Sequence, residues 1–120
     1  EENVLEALER VLRRDGYRIL TARSATAGLD LLATHKVGVV ISDERMPDMT
    51  GVAFLSRVCK MYPDTIRMVL TGYADMQAII SAINDGAVYK FLHKPWDNAV
   101  LRANVREAFR ISKLNQPDSH

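Results

Sequence analysis

VGVVISDERMPDMTG, residues 37–51, decides how this chain folds. It opens Val-Gly-Val-Val-Ile, an apolar and largely β-branched run that predicts a strand over 37–42 buried on both faces. Asp43 stands where that strand ends, and Pro47 and Gly51 keep a helix from starting at once. The stretch therefore predicts an acidic side chain at the carboxyl edge of a parallel sheet, followed by a short stiff loop, where open α/β sheets hold their ligands. An Asp in such a loop is more often a turn or cap residue than a reactive one. Its partners further along the chain decide between the two.

The 120 residues suffice for one domain with a single core and leave no room for a second. Charge is nearly balanced, 16 Lys+Arg against 15 Asp+Glu, and no basic block stands out, so composition points neither to nucleic acid nor to an anionic membrane surface. No apolar run approaches the roughly 20 residues of a membrane span, and the amino end, EENVLEALER, does not resemble a signal peptide. Cys59 has no second cysteine to pair with and reads as a small core residue. A reducing, cytoplasmic setting is expected.

Outward from the central stretch, helices and strands alternate. Val4, Leu5, Leu8, Val11 and Leu12 form one stripe of a helix over 2–14, which Asp15-Gly16 ends. YRILTA, residues 17–22, reads as a short strand. Ser24 caps a helix striped by Ala25, Gly28, Leu29 and Leu32. A third helix runs from Gly51 to about residue 61, and 66–70 is an apolar strand that delivers Thr71-Gly72 to the same sheet edge as Asp43. A fourth helix over 75–84 buries Met76, Ile79, Ile80 and Ile83; a last strand over 89–93 ends on Lys94-Pro95; and Asp97 caps a final helix in which Leu101, Val105, Ala108 and Phe109 face inward. This order predicts βαβ units and a doubly wound parallel α/β sheet. The chain opens on a helix, where such a sheet opens on a strand.

Asp43, Thr71 and Lys94 each follow an apolar strand. Singly they read as a turn Asp, a β-branched strand end and a solvated Lys; together they are a carboxylate, a hydroxyl and a cation converging on a small anionic group. The pattern DERMPDMTG (43–51), LTG (70–72) and FLHKPW (91–96) resembles the receiver domains of two-component response regulators, of the CheY-like, flavodoxin-like fold, and the resemblance covers residues 1–112. A tail, 113–120, follows.

The resemblance implies that Asp43 takes a phosphoryl group from a phosphohistidine on a sensor histidine kinase, with Lys94 and the Thr71 hydroxyl binding phosphoryl oxygens and Gly72 leaving room for the group. Mg²⁺ would be held by Asp43, the Arg45 carbonyl and water. A cis peptide before Pro95 would aim Lys94. Phosphorylation would draw Thr71 inward and let Phe91 reposition, altering a face of the fourth helix, last strand and fifth helix that includes Tyr89, Lys90, Arg102 and Arg106. Arg45 and Tyr73 stand where the family tunes hydrolysis of the acyl phosphate. The output domain is expected outside this chain, with no direct nucleic-acid or membrane contact.

Receiver domains begin with a strand ending in two adjacent acidic residues that bind the metal. This sequence has neither, and Glu1-Glu2-Asn3 matches the residues just after them. The first, central strand is thus expected to be missing and the Mg²⁺ site weakened or absent, unless Glu1 or Glu2 substitutes or two copies pair their edges in a homodimer by strand exchange. The alternative is a module that binds partners without being phosphorylated. An enzyme is not expected: an aspartyl phosphatase wants a second carboxylate two residues after the nucleophile, where Arg45 stands. A flavin module would need a phosphate loop at a first strand. His35, His93 and His120 lack the spacing of a zinc site.

Overall fold

The computed structural model describes residues 2–115; the side chains of Glu2, Asn3, Tyr73 and residues 113–115, together with residue 1 and residues 116–120, fall outside the description. The readings placed on Glu1, on the Glu2 and Tyr73 side chains and on most of the tail therefore lie outside it.

The elements run α1 (Glu2–Arg13), α2 (Ala25–Thr34), β1 (Val39–Asp43), α3 (Gly51–Met61), β2 (Ile66–Thr71), a 3₁₀ turn (Tyr73–Asp75), α4 (Met76–Asn84), β3 (Lys90–His93) and α5 (Asn98–Asn115). The three strands form a parallel sheet in the order β1-β2-β3. β2 is its centre and alternates its side chains between two cores. Val69 joins Phe54, Leu55 and Val58 of α3 and Ile79 of α4 on one face. Ile66, Met68 and Leu70 join Leu8 and Leu12 of α1 and Leu101 and Val105 of α5 on the other. Helices thus cover both faces, as the alternation of elements predicts.

Local chemistry sets the helix starts. The Ser24 hydroxyl accepts from Ala27 N–H at 3.1 Å at the head of α2, and Thr50 does the same for Ala53 at the head of α3. Asp97 accepts from Ala99 and Val100 N–H at 2.8 and 3.1 Å, beginning α5.

The reading of YRILTA as a strand is corrected: residues 17–22 form none. A strand needs a neighbour to take its main-chain hydrogen bonds, and among the described residues β1, which follows it in the chain, pairs only with β2. The segment is instead pinned at its start, where Tyr17 stacks on Phe109 with ring centroids 4.8 Å apart and Asp15 receives two hydrogen bonds from Arg102. Residues 37 and 38 also stand before β1 rather than in it. Their carbonyls serve the sheet margin, Val37 accepting from the Thr65 hydroxyl and Gly38 from Ile66 N–H. Among the described residues no helix is long and apolar enough to cross a membrane.

Candidate functional site

Parallel register builds the site from three strand ends. Asp43 lies opposite Leu70, and Thr71 opposite His93; Lys94 N–H then donates to the Thr71 carbonyl at 2.9 Å. Asp43, Thr71 and Lys94 therefore share one carboxyl edge of the sheet.

Lys94 Nζ sits 3.1 Å from both carboxylate oxygens of Asp43. The two side chains are 29% and 14% exposed, so their attraction is screened less than at an open surface, yet the carboxylate stays reachable from solvent. Arg45 N–H donates to Asp43 Oδ1 at 3.2 Å, folding the following loop over the carboxylate. Arg45 Nη2 reaches 3.4 Å from Asp75 Oδ1, linking that loop to the turn after β2. The Lys94–Pro95 peptide is cis.

Thr71 has no exposed surface, and its hydroxyl donates to the Gly72 carbonyl at 2.9 Å. Phe91 is half-buried against the core of α2, α3 and α4, edge-on to the His93 ring at 5.2 Å. Of the residues expected on the outer face, Arg102 commits its guanidinium to Asp15 at the end of α1, and Lys90 donates to Asn104 at 2.9 Å.

Two acidic residues of the same loop escaped the sequence reading. Glu44 is 5% exposed and accepts from Val52 N–H at 2.9 Å, while Gly51 N–H donates to its carbonyl at 2.8 Å. It thereby holds the start of α3, and burial pushes its carboxyl above the ordinary value. Asp48 accepts from Ala25 N–H, Thr26 N–H and the Thr26 hydroxyl. Those donors, the Thr26 amide foremost, hold its carboxyl down to about 2. The sequence carried a usable signal in Gly51: a Cβ there would stand 2.4 Å from the Asp43 carbonyl, so the loop packs onto α3 only with glycine.

Mg²⁺ takes hard oxygen ligands and keeps several waters, often with one or two carboxylates and a substrate phosphate. The Asp43 carboxylate and the Arg45 carbonyl are donors of that kind and fit part of such a shell. Glu44 is turned to Val52 instead. Among the described residues no group of three or more His, Cys, Asp or Glu gathers as a ready-made metal cage.

Comparison with known proteins places the chain in a family. The profile of the response regulator receiver domain matches residues 1–106. The hydrogenase transcriptional regulatory protein HoxA of Bradyrhizobium diazoefficiens is 38% identical over 111 residues, which is 92% of this chain and 23% of that protein. The chain thus spans about a quarter of the length of relatives such as HoxA. A crystal structure of an uncharacterized protein from Neptuniibacter caesariensis superposes with a TM-score of 0.94 at 39% identity, over 100% of this chain and 91% of that one. The signal receiver domain of an HD domain-containing protein from Pseudomonas fluorescens Pf-5 gives a TM-score of 0.89 at 38% identity, over 95% and 84%. Sequence profile, relatives and fold agree, and the chain belongs to the receiver domains of two-component response regulators.

Proposed function

We propose that residues 1–112 act as a phosphoacceptor: Asp43 takes a phosphoryl group from the phosphohistidine of a sensor kinase, and the change is read by a partner or output domain. The observation that carries this is the Lys94 ammonium held 3.1 Å from both oxygens of a half-buried carboxylate at the sheet's carboxyl edge. In the transfer an Asp43 oxygen forms the new P–O bond as the donor's P–N bond to imidazole breaks. Such chemistry is mostly positioning and charge neutralisation. Lys94 offers a point charge to one phosphoryl oxygen. Rotation of the Thr71 hydroxyl away from the Gly72 carbonyl would offer a hydrogen bond to a second, beside Gly72, where the space a Cβ would fill is open. Receiver domains bind Mg²⁺ in the phosphorylation site; here Asp43 and the Arg45 carbonyl would hold it, and it would supply further positive charge to the phosphoryl oxygens.

The read-out surface in this reading is made by α4, β3 and α5. It offers Ile80 and Val100, 46% and 51% exposed, to a partner, and movement of Thr71 toward the phosphoryl group would change the room available to Phe91. HoxA is named a transcriptional regulator, and an output of that kind, beyond these residues, suits the same signal.

The test is intact mass after incubation with Mg²⁺ and acetyl phosphate. A gain of one phosphoryl group that disappears in Asp43→Asn is expected. A folded chain that gains none keeps the scaffold without a working metal and phosphoacceptor site, and the phosphoacceptor reading is overturned for it. In a chain that does gain it, Arg45→Ala is expected to speed spontaneous loss about threefold or more, a barrier change below ~1 kcal/mol for threefold. Arg45 reaches from the loop after Asp43 to Asp75, and in this reading its bulk would restrict the approach of water to the acyl phosphate. An unchanged rate of loss would remove Arg45 from that role.

A further inference from the structure

Asp43 ends β1 and Gly51 opens α3, and the loop between them is fastened at its base and at its tip. At the base, Gly51 N–H donates to the Glu44 carbonyl at 2.8 Å, and Arg45 and Thr50 pair in a single antiparallel bridge. Residues 46–49 form the tip beyond that bridge. There Asp48 is exposed to solvent and yet commits both carboxylate oxygens to α2. Its Oδ1 accepts from Ala25 N–H at 3.0 Å, and its Oδ2 from Thr26 N–H at 2.9 Å and the Thr26 hydroxyl at 2.8 Å. Hydrogen bonds to an ionised acceptor are the stronger kind. The anchor is itself held: Ala25 is fully buried, and a Cβ at Gly28 would stand 3.1 Å from the Phe54 ring, so the head of α2 packs directly on α3.

Base and tip together fix the main chain at Arg45. Its N–H donates to Asp43 Oδ1 at 3.2 Å, which sets the rotation of the carboxylate and leaves Oδ2 to face a phosphorus. Lys94 Nζ, 3.1 Å from both oxygens, does not distinguish them. We propose that Asp48 is a positioning residue for phosphoryl transfer: by fastening the loop tip to α2 it keeps the Arg45 amide on Asp43 and so holds the nucleophilic carboxylate in its reacting orientation. Transfer depends on such placement, and an error of about 1 Å can cost on the order of a hundredfold in rate. The proposal rests on the phosphoacceptor reading of Asp43 and adds to it a residue that acts through the loop.

The test compares the whole chain with Asp48→Ala, Asp48→Asn and Ser24→Ala in two measurements. One is the rate of acyl phosphate formation from acetyl phosphate with Mg²⁺, followed by intact mass. In that reaction Asp43 Oδ2 forms the P–O bond as the bond from phosphorus to the acetyl oxygen breaks, and acetate leaves with the electron pair. The other is amide exchange at Arg45 by NMR without phosphodonor, with Val69 of β2 as the mark of an intact fold. Asp48→Ala is expected to slow formation about tenfold or more and to speed Arg45 exchange about fivefold or more. Asp48→Asn keeps an oxygen for the Thr26 amide and is expected to lie between; it carries the test if the alanine variant does not fold. Ser24→Ala removes the other cap of α2, on Ala27, and leaves the loop alone, so both readouts are expected at the parent's values. Formation at the parent's rate in folded Asp48 variants would overturn the proposal and leave the phosphoacceptor reading standing. An equal slowing in Ser24→Ala would overturn it too, by assigning the effect to the stability of α2, as would slowed formation with Arg45 exchange unchanged. A parent chain that gains no phosphoryl group overturns both readings.

Discussion

Asp43 ends β1 and Glu44 follows it, and the two neighbours in the chain meet opposite surroundings. Asp43 stays at the edge beside Lys94, partly open to solvent. Glu44 turns inward, 5% exposed, with the Val52 amide as its partner. A carboxylate in such a place loses hydration that one amide only partly replaces, and its pKa rises above the ordinary value of 4.5. Folding then retains a proton that the unfolded chain releases, so stability is greatest below the unfolded pKa and falls as pH rises through the folded one. Glu44→Gln cannot ionise and still offers an oxygen to Val52. Its melting temperature relative to the parent chain is expected to gain little near about pH 4 and a few degrees toward about pH 8. Thermal melts across that range decide it, since an offset constant with pH would mean that Glu44 is not held against ionisation.

At the scale of elements, Asp48 ties the loop after β1 to the head of α2. The first amides of a helix have no partner within it and favour a negative charge; Ser24 meets Ala27, and Asp48, from 22 residues away, meets Thr26 at 2.9 Å. With its carboxyl held to about 2, Asp48 contributes stability that is present above the unfolded value of about 3.9 and is lost as pH falls toward the folded one. Asp48→Ala is therefore expected to melt a few degrees lower at neutral pH, with faster exchange at the Ala25 and Thr26 amides. The gap should close as the parent chain is acidified toward about pH 2, and a gap unchanged by acid would assign the loss to packing. The helices themselves were legible: the caps at Ser24 and Asp97 and most of the apolar stripes stand where the spacing predicts, but Ile80, expected to be buried in the fourth helix, is 46% exposed, because the buried stripe of α4 runs through Ile79 and Ala82. Asp48 was not, because a turn Asp and a cap for a distant helix look alike until the loop is folded. The 3₁₀ turn before α4 escaped for a similar reason, since Tyr73, Ala74 and Asp75 carry no local signal that separates it from a first helical turn.

Across the whole molecule, sheet class and the meeting of Asp43, Thr71 and Lys94 were legible because both follow from strand ends in a parallel sheet. Residues 17–22 were not, because strand formation depends on a neighbour, and among the described residues β1 has one on the β2 side only. Stability is distributed accordingly. Ile41 and Met68 are paired in register and contribute to the same core, yet Met68 is fully buried and Ile41 is half-buried at the wall of a cleft lined by β1 and residues 17–22. Met68→Ala removes contacts on every side and is expected to cost about 2–5 kcal/mol. Ile41→Ala deletes a similar volume where part of the surface already faces open space, and about 1–2 kcal/mol follows from the smaller area involved. Urea midpoints for the two variants, at equal slope, measure the difference. Equal losses would mean that in solution the β1 wall is closed, by a partner strand or by movement of residues 17–22, and that the sheet does not end at β1.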